Sequence, residues 1–249
     1  MKQSLCAILI SLLFNTYFLS AQETKTDSIK DKDKVFFSEA LALHLADYND
    51  KANFAYRKRD FKEAQRLFDS VTVNHLAGSY INNFKFNTLK GKEVHLYDFD
   101  KSIYLITYAS WCIPGKGAIP AINEIAKKYK DQIQIVVLFW DTRDKVKKVS
   151  KEFNGDVKIV YVDETQNKSP YVVKQLKHSL GLPTCFLINK DKRIEDITRY
   201  TAVAYGTPIE NALKKNFNQI DEGITSYLIN YEDTELMKSR LASRKDKKE

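Results

Sequence analysis

The stretch ASWCIPGKGAIP, residues 109–120, decides how the rest of this chain is read. It joins Trp111 and Cys112 to Pro114, and puts Gly115 where a second cysteine would complete a C-x-x-C. A thiol used for disulfide exchange must ionise near neutral pH and be reachable by a partner's sulfur. The start of a helix favours the ionised form, because unpaired backbone amides and the macrodipole stabilise an anion there. IYLITYA (103–109) reads as a strand, and residues 117–130 set Ile119, Ile122, Ile125 and Tyr129 along one side of a helix. Cys112 is therefore expected at a strand-to-helix junction, its pKa lowered from ~8.5. Gly115 and Gly117 fall in the expected first helical turn, each costing up to ~1 kcal/mol relative to Ala. There they either loosen the site or admit a partner's backbone.

Strands and helices alternate outward from this junction. IQIVVLFW (133–140) is a near-continuous apolar run of the kind buried on both faces. A helix over 143–153 uses Val146, Val149 and Phe153, VKIVYV (157–162) is a strand, and a helix over 169–180 follows. Strand 184–188 turns at NKDK into strand 193–199. GTPIENAL announces the last helix, with Thr207 as N-cap, Pro208 in the first position and Glu210 completing a capping box. On the other side, YINNFKFNTLKGKEVHLYDF forms a hairpin about Lys90 and Gly91. This order implies a layered α/β domain.

The 249 residues leave room for additions to such a domain. Residues 1–21 have Lys2, an apolar run from Leu5 to Phe14 and small residues at Ser20 and Ala21, the order of a secretory signal peptide. The run is shorter than the ~20 residues that span a bilayer, so no stable membrane span is expected once the signal is removed. Residues 22–35 read as a flexible, charged tether. Residues 36–76 carry apolar positions at helical steps, broken near RKRD, where Asp60 can cap a second helix. NFAYRKRDFKEAQRLFD resembles one tetratricopeptide unit through Tyr56, Phe61, Ala64 and Phe68. Without a second copy, a helical hairpin packed on the main domain is the expectation. The main domain is placed at 77–228, and residues 229–249 form a charged tail.

Of the net charge of +8, residues 238–249 carry +4 with six basic and two acidic residues, which leaves the body without a concentrated basic face, and a nucleic-acid partner is not expected. Removing the signal would remove Cys6 and leave two of the three cysteines, too few for a disulfide framework. His44, His75, His95 and His178 have no paired metal-ligand spacing, and no glycine-rich phosphate loop is present, so neither metal nor cofactor is expected.

YASWCIP, with Trp111, Cys112 and Pro114, Pro120 eight residues after the cysteine, and GLPTCFLINKDKRI (181–194) together resemble the TlpA/ResA-like thiol-disulfide oxidoreductases of bacterial cell envelopes. The resemblance covers about residues 78–220. It implies a thioredoxin-like three-layer α/β/α sandwich, here with an N-terminal β-hairpin and a preceding helical hairpin. It also implies a cis-proline at Pro183 facing the sulfur of Cys112, flanked by Leu182 and Thr184 as binders of a partner's backbone. Trp111, Pro114, Gly115, Pro120 and Pro183 would shape the site. Gly115 departs from the pattern, since the second cysteine of a C-x-x-C resolves the mixed disulfide that the first one forms. Ile106 stands where thioredoxins carry a buried acid, so that proton-transfer aid is absent.

Cys185, two residues after Pro183, faces the same side by strand alternation and is either a second thiol or a small buried residue of a core strand. A peroxiredoxin reading needs Thr three residues before the cysteine, where Ala109 stands. The leading expectation is an exported, periplasmic or envelope oxidoreductase-like protein in which Cys112 alone forms mixed disulfides with protein or small thiols. The alternative is a redox-inactive binding module for a protein partner.

Overall fold

The computed structural model describes residues 34–112, 115–167, 170–199, 203–204 and 206–245. The expected signal peptide, nearly all of the tether, and Pro114 lie outside the described residues. From Phe36 onward the chain forms one compact unit.

Two helices come first, α1 (Phe37–Arg57) and α2 (Phe61–Val71), and α2 runs into a π-helical turn over Thr72–Leu76. Asp60 caps α2 as expected, its carboxylate accepting the Glu63 amide at 2.9 Å. Next come β1 (Lys85–Thr88), β2 (Glu93–His95), β3 (Ser102–Tyr108), α3 (Ala118–Tyr129) and β4 (Ile133–Phe139). They are followed by α4 (Arg143–Val149), β5 (Lys158–Tyr161), α5 (Pro170–Val173, continued by a π-helical turn to His178), β6 (Thr184–Ile188), β7 (Ile194–Thr198) and α6 (Ile209–Lys245). The strands make one sheet in the order β2-β1-β5-β4-β3-β6-β7. β4 is parallel to both β3 and β5, and the other pairs are antiparallel.

Period-two alternation sorts the apolar strand residues onto two buried faces. Ile103, Leu105, Val136, Leu138, Phe186 and Ile188 pack on one side with Phe37, Leu41 and Phe68 of the hairpin and with Val172 and Leu176. Tyr104, Ile106, Val137, Phe139, Cys185 and Leu187 pack on the other with Ile122 and Ile125 of α3 and Ile220 and Ile224 of α6. The result is the expected three-layer α/β/α sandwich, with the helical hairpin as part of one outer layer. Phe37 meets Phe186 edge to face, ring centroids 5.7 Å apart, and the Phe37 amide donates to Tyr80 O at 2.8 Å.

Two boundaries differ from the sequence reading. α3 starts at Ala118, with Gly117 as a left-handed N-cap (φ 76°), so neither Gly115 nor Gly117 lies inside the helix. Thr207 does not cap α6 in the expected way, because its hydroxyl donates to Ala204 O at 2.8 Å. The backbone of α6 stays helical to Lys245, through most of the segment read as a tail.

Candidate thiol site

The sheet topology brings three chain segments to one edge. β3 and β4 are parallel, with Tyr108 opposite Phe139, so both end there, and antiparallel β6 begins there with Thr184 opposite Thr107. Trp140 extends the β3–β4 pairing by donating its amide to Tyr108 O at 3.0 Å. Past Tyr108 the chain turns sharply, the Cys112 amide donating to Ala109 O at 2.9 Å. Cys112 is half-buried against the α3/α6 core, and Trp111 beside it is 67% exposed. The Leu182–Pro183 peptide bond, at the start of β6, is cis.

α6 holds the segment between Cys112 and α3. Buried Asn216 donates to Lys116 O at 3.0 Å and to Ala212 O at 2.8 Å, while the Lys116 ammonium donates to Thr207 O at 2.8 Å. A Cβ on Gly117 would lie 2.5 Å from Leu213 N, so the close backbone approach allowed by this glycine is to the chain's own helix. Among the described residues no atom lies within 4 Å of where a Cβ on Gly115 would sit, so a side chain there meets none of them. Pro120 is exposed in the first turn of α3, where a missing N–H removes no intrahelical bond.

With α3 starting at Ala118, Cys112 lies six residues before the helix in sequence. Its pKa shift runs opposite to the expectation. Burial pushes the thiol up, the bond to the Ala109 backbone works against that, the Asp141 carboxylate adds to the rise and Lys177 opposes it. Asp141 went unnoticed in the sequence, although it is the first charged residue after the apolar run 133–140. Buried at 7% exposure, it accepts the Ser110 amide and the Ser110 hydroxyl, both at 2.6 Å.

Thr184 does not present its backbone to a partner. Its amide donates to Thr107 Oγ1 at 3.2 Å and its carbonyl accepts from the same hydroxyl at 3.0 Å, which locks the start of β6 to β3. Cys185 is 1% exposed, opposite Ile106, and hydrogen-bonded to the buried Tyr104 hydroxyl. Neither Cys112 nor Cys185 is in a disulfide. Of the histidines, His44 and His75 stack with centroids 3.9 Å apart, which joins α1 to the π-helical turn. Among the described residues, no three His, Cys, Asp or Glu side chains gather as a metal site. No helix among them is long and apolar enough to cross a membrane.

The sheet, its two helical layers and the cis-proline opposite the thiol turn define a thioredoxin-fold protein. The family model described as "AhpC/TSA family" matches residues 77–197. Among curated proteins, the thiol-disulfide oxidoreductase ResA of Geobacillus kaustophilus is 30% identical over 123 residues, covering 48% of this chain and 67% of that protein. ResA of Bacillus thuringiensis is 34% identical over 121 residues, covering 47% of this chain and 66% of that protein. The chain belongs to the ResA-like family of thiol-disulfide oxidoreductases. Its match spans just under two thirds of the Bacillus thuringiensis protein's length. Among solved structures, the thioredoxin domain of a thiol-disulfide oxidoreductase from Bacteroides vulgatus aligns with 18% identity and a TM-score of 0.46, covering 59% of this chain and 96% of that one.

Proposed function

We propose that the protein is an exported envelope oxidoreductase-like protein in which Cys112 is a lone nucleophile. The Cys112 thiolate attacks a partner disulfide, forming a mixed disulfide and releasing the partner's other sulfur as thiolate. Partners would be protein thiols and disulfides or small thiols. The observation that carries this reading is a partly exposed Cys112, outside any disulfide, in a turn with exposed Trp111 at the sheet edge where β6 begins after a cis-proline, with Gly115 at the resolving position. Trp111 offers apolar surface to a partner, and the Leu182 backbone, just before Pro183, is the pairing edge.

The raised pKa of Cys112 shapes the chemistry. A sulfur held against ionisation attacks slowly at neutral pH, and it is also a poor leaving group. Mixed disulfides on Cys112 therefore form slowly and, once formed, persist. This fits a site without a resolving thiol better than one built for rapid turnover. The same raised pKa favours the second reading, a thioredoxin-fold binding module with no redox role.

Mixed-disulfide capture from an envelope extract separates the two readings, with Cys112→Ser as control. Reducible adducts on Cys112 that vanish in the control are expected. If wild type and control capture the same set, the nucleophile reading fails and the binding module stands.

A further inference from the structure

We propose that Asp141 is a positioning residue for Cys112: its carboxylate fixes the Ser110 end of the thiol turn, and its charge lies against the sulfur that the turn carries. The inference rests on the reading of Cys112 as the nucleophile. Asp141 follows directly on the residue that extends β4, which sets it beside the end of β3. A carboxylate this far from water must be satisfied by the protein. Here both oxygens are taken by one residue, Ser110, through its amide and its hydroxyl at 2.6 Å each, short charge-assisted bonds. Ser110 is the second residue of the turn that the Cys112 amide closes on Ala109. The place of the sulfur is thus set from the neighbouring strand.

Three polar groups interact electrostatically with that sulfur. Asp141 comes from the end of β4, Lys177 from the turn after α5, and the Tyr108 phenol from β3. The Lys177 ammonium is paired with Glu164, which draws its charge away. Tyr108 is held neutral, its pKa pushed far up by burial, with Cys112 and Glu152 adding to the rise. The Asp141 charge is met at Ser110 by neutral donors, which leave it in place. Burial is the main cause that pushes the Cys112 thiol up, and of the two opposed charges the like one outweighs the other and adds to that rise.

The test is the iodoacetamide labelling rate of the Cys112 peptide by mass spectrometry, from acid to alkaline pH, in the wild type, Asp141→Asn and Ser110→Ala. Removing the charge should move the labelling midpoint of Asp141→Asn to lower pH. Its rate at neutral pH should rise about three-fold, the gain in thiolate being partly offset by weaker nucleophilicity. Ser110→Ala, which keeps the carboxylate, should melt at lower temperature without that downward move. Should Asp141→Asn not fold, Asp141→Ser gives the same reading. A reactive Cys112 whose midpoint is unmoved in the neutral variant, or moved equally in Ser110→Ala, overturns the role of the charge. A Cys112 unreactive in every protein at every pH overturns the nucleophile reading itself, and this inference with it.

Discussion

A methyl group on Gly117 would sit 2.5 Å from Leu213 N at a φ of 76°, so two separate penalties meet at this residue. The left-handed backbone costs a side chain ~1–2 kcal/mol, and forcing α6 away from α3 adds ~1–3 kcal/mol. Gly117→Ala is thus expected to destabilise the protein by about 2–5 kcal/mol, read as a lower urea midpoint at unchanged slope. Gly115→Ala, with open space around its Cβ, should stay within about 0.5 kcal/mol of wild type. Equal effects at the two glycines would contradict the packing described for α3 and α6. Both glycines were visible in the sequence as breaks in a helical pattern. Their difference was not, because it depends on a helix about 90 residues further along the chain. Asp141 is a similar case: a charge ending a buried strand is a legible signal, but its partner Ser110 comes from another strand's end.

At the scale of elements, periodicity carried most of the information. Residues 133–140 and 184–188 are apolar on both faces because helices cover both, and they form strands as read. The pattern at 36–76 gave two helices and the Asp60 cap. What periodicity could not supply was the register of α3 against Cys112, since the position of a helix start depends on its cap. Gly117 in a left-handed conformation starts α3 at Ala118, one residue later than read, and the upward shift of the Cys112 thiol comes chiefly from burial, which periodicity does not report. The hairpin lends its own test. Phe37 is fully buried against Phe186 on β6, so Phe37→Ala should cost ~3–5 kcal/mol. The variant should still unfold in one transition by both far-UV and aromatic signals, because hairpin and sheet share a core. A separate early transition of the hairpin would contradict that shared core.

For the whole molecule, the fold and the thiol position follow from the same topology. Parallel β3 and β4 and antiparallel β6 deliver the thiol turn, Asp141 and the cis-proline to one edge of the sheet. The second cysteine lies one layer in, on a core strand and bonded to Tyr104. In the proposed reading the scaffold keeps a nucleophile at Cys112 and holds glycine at residue 115, where the resolving thiol would be. Exposure to oxidised glutathione, followed by peptide mapping without reductant, tests this most directly. The Cys112 thiolate would attack glutathione disulfide, keep one glutathionyl group and release the other as thiolate. In Gly115→Cys the new thiolate would then attack the Cys112 sulfur, form the 112–115 disulfide and release the second glutathione. The account predicts that the wild type accumulates a lasting glutathionyl group on Cys112 while Gly115→Cys converts to the internal disulfide. A wild-type protein that takes no glutathione on Cys112, or that passes on to a Cys112–Cys185 disulfide, would contradict it.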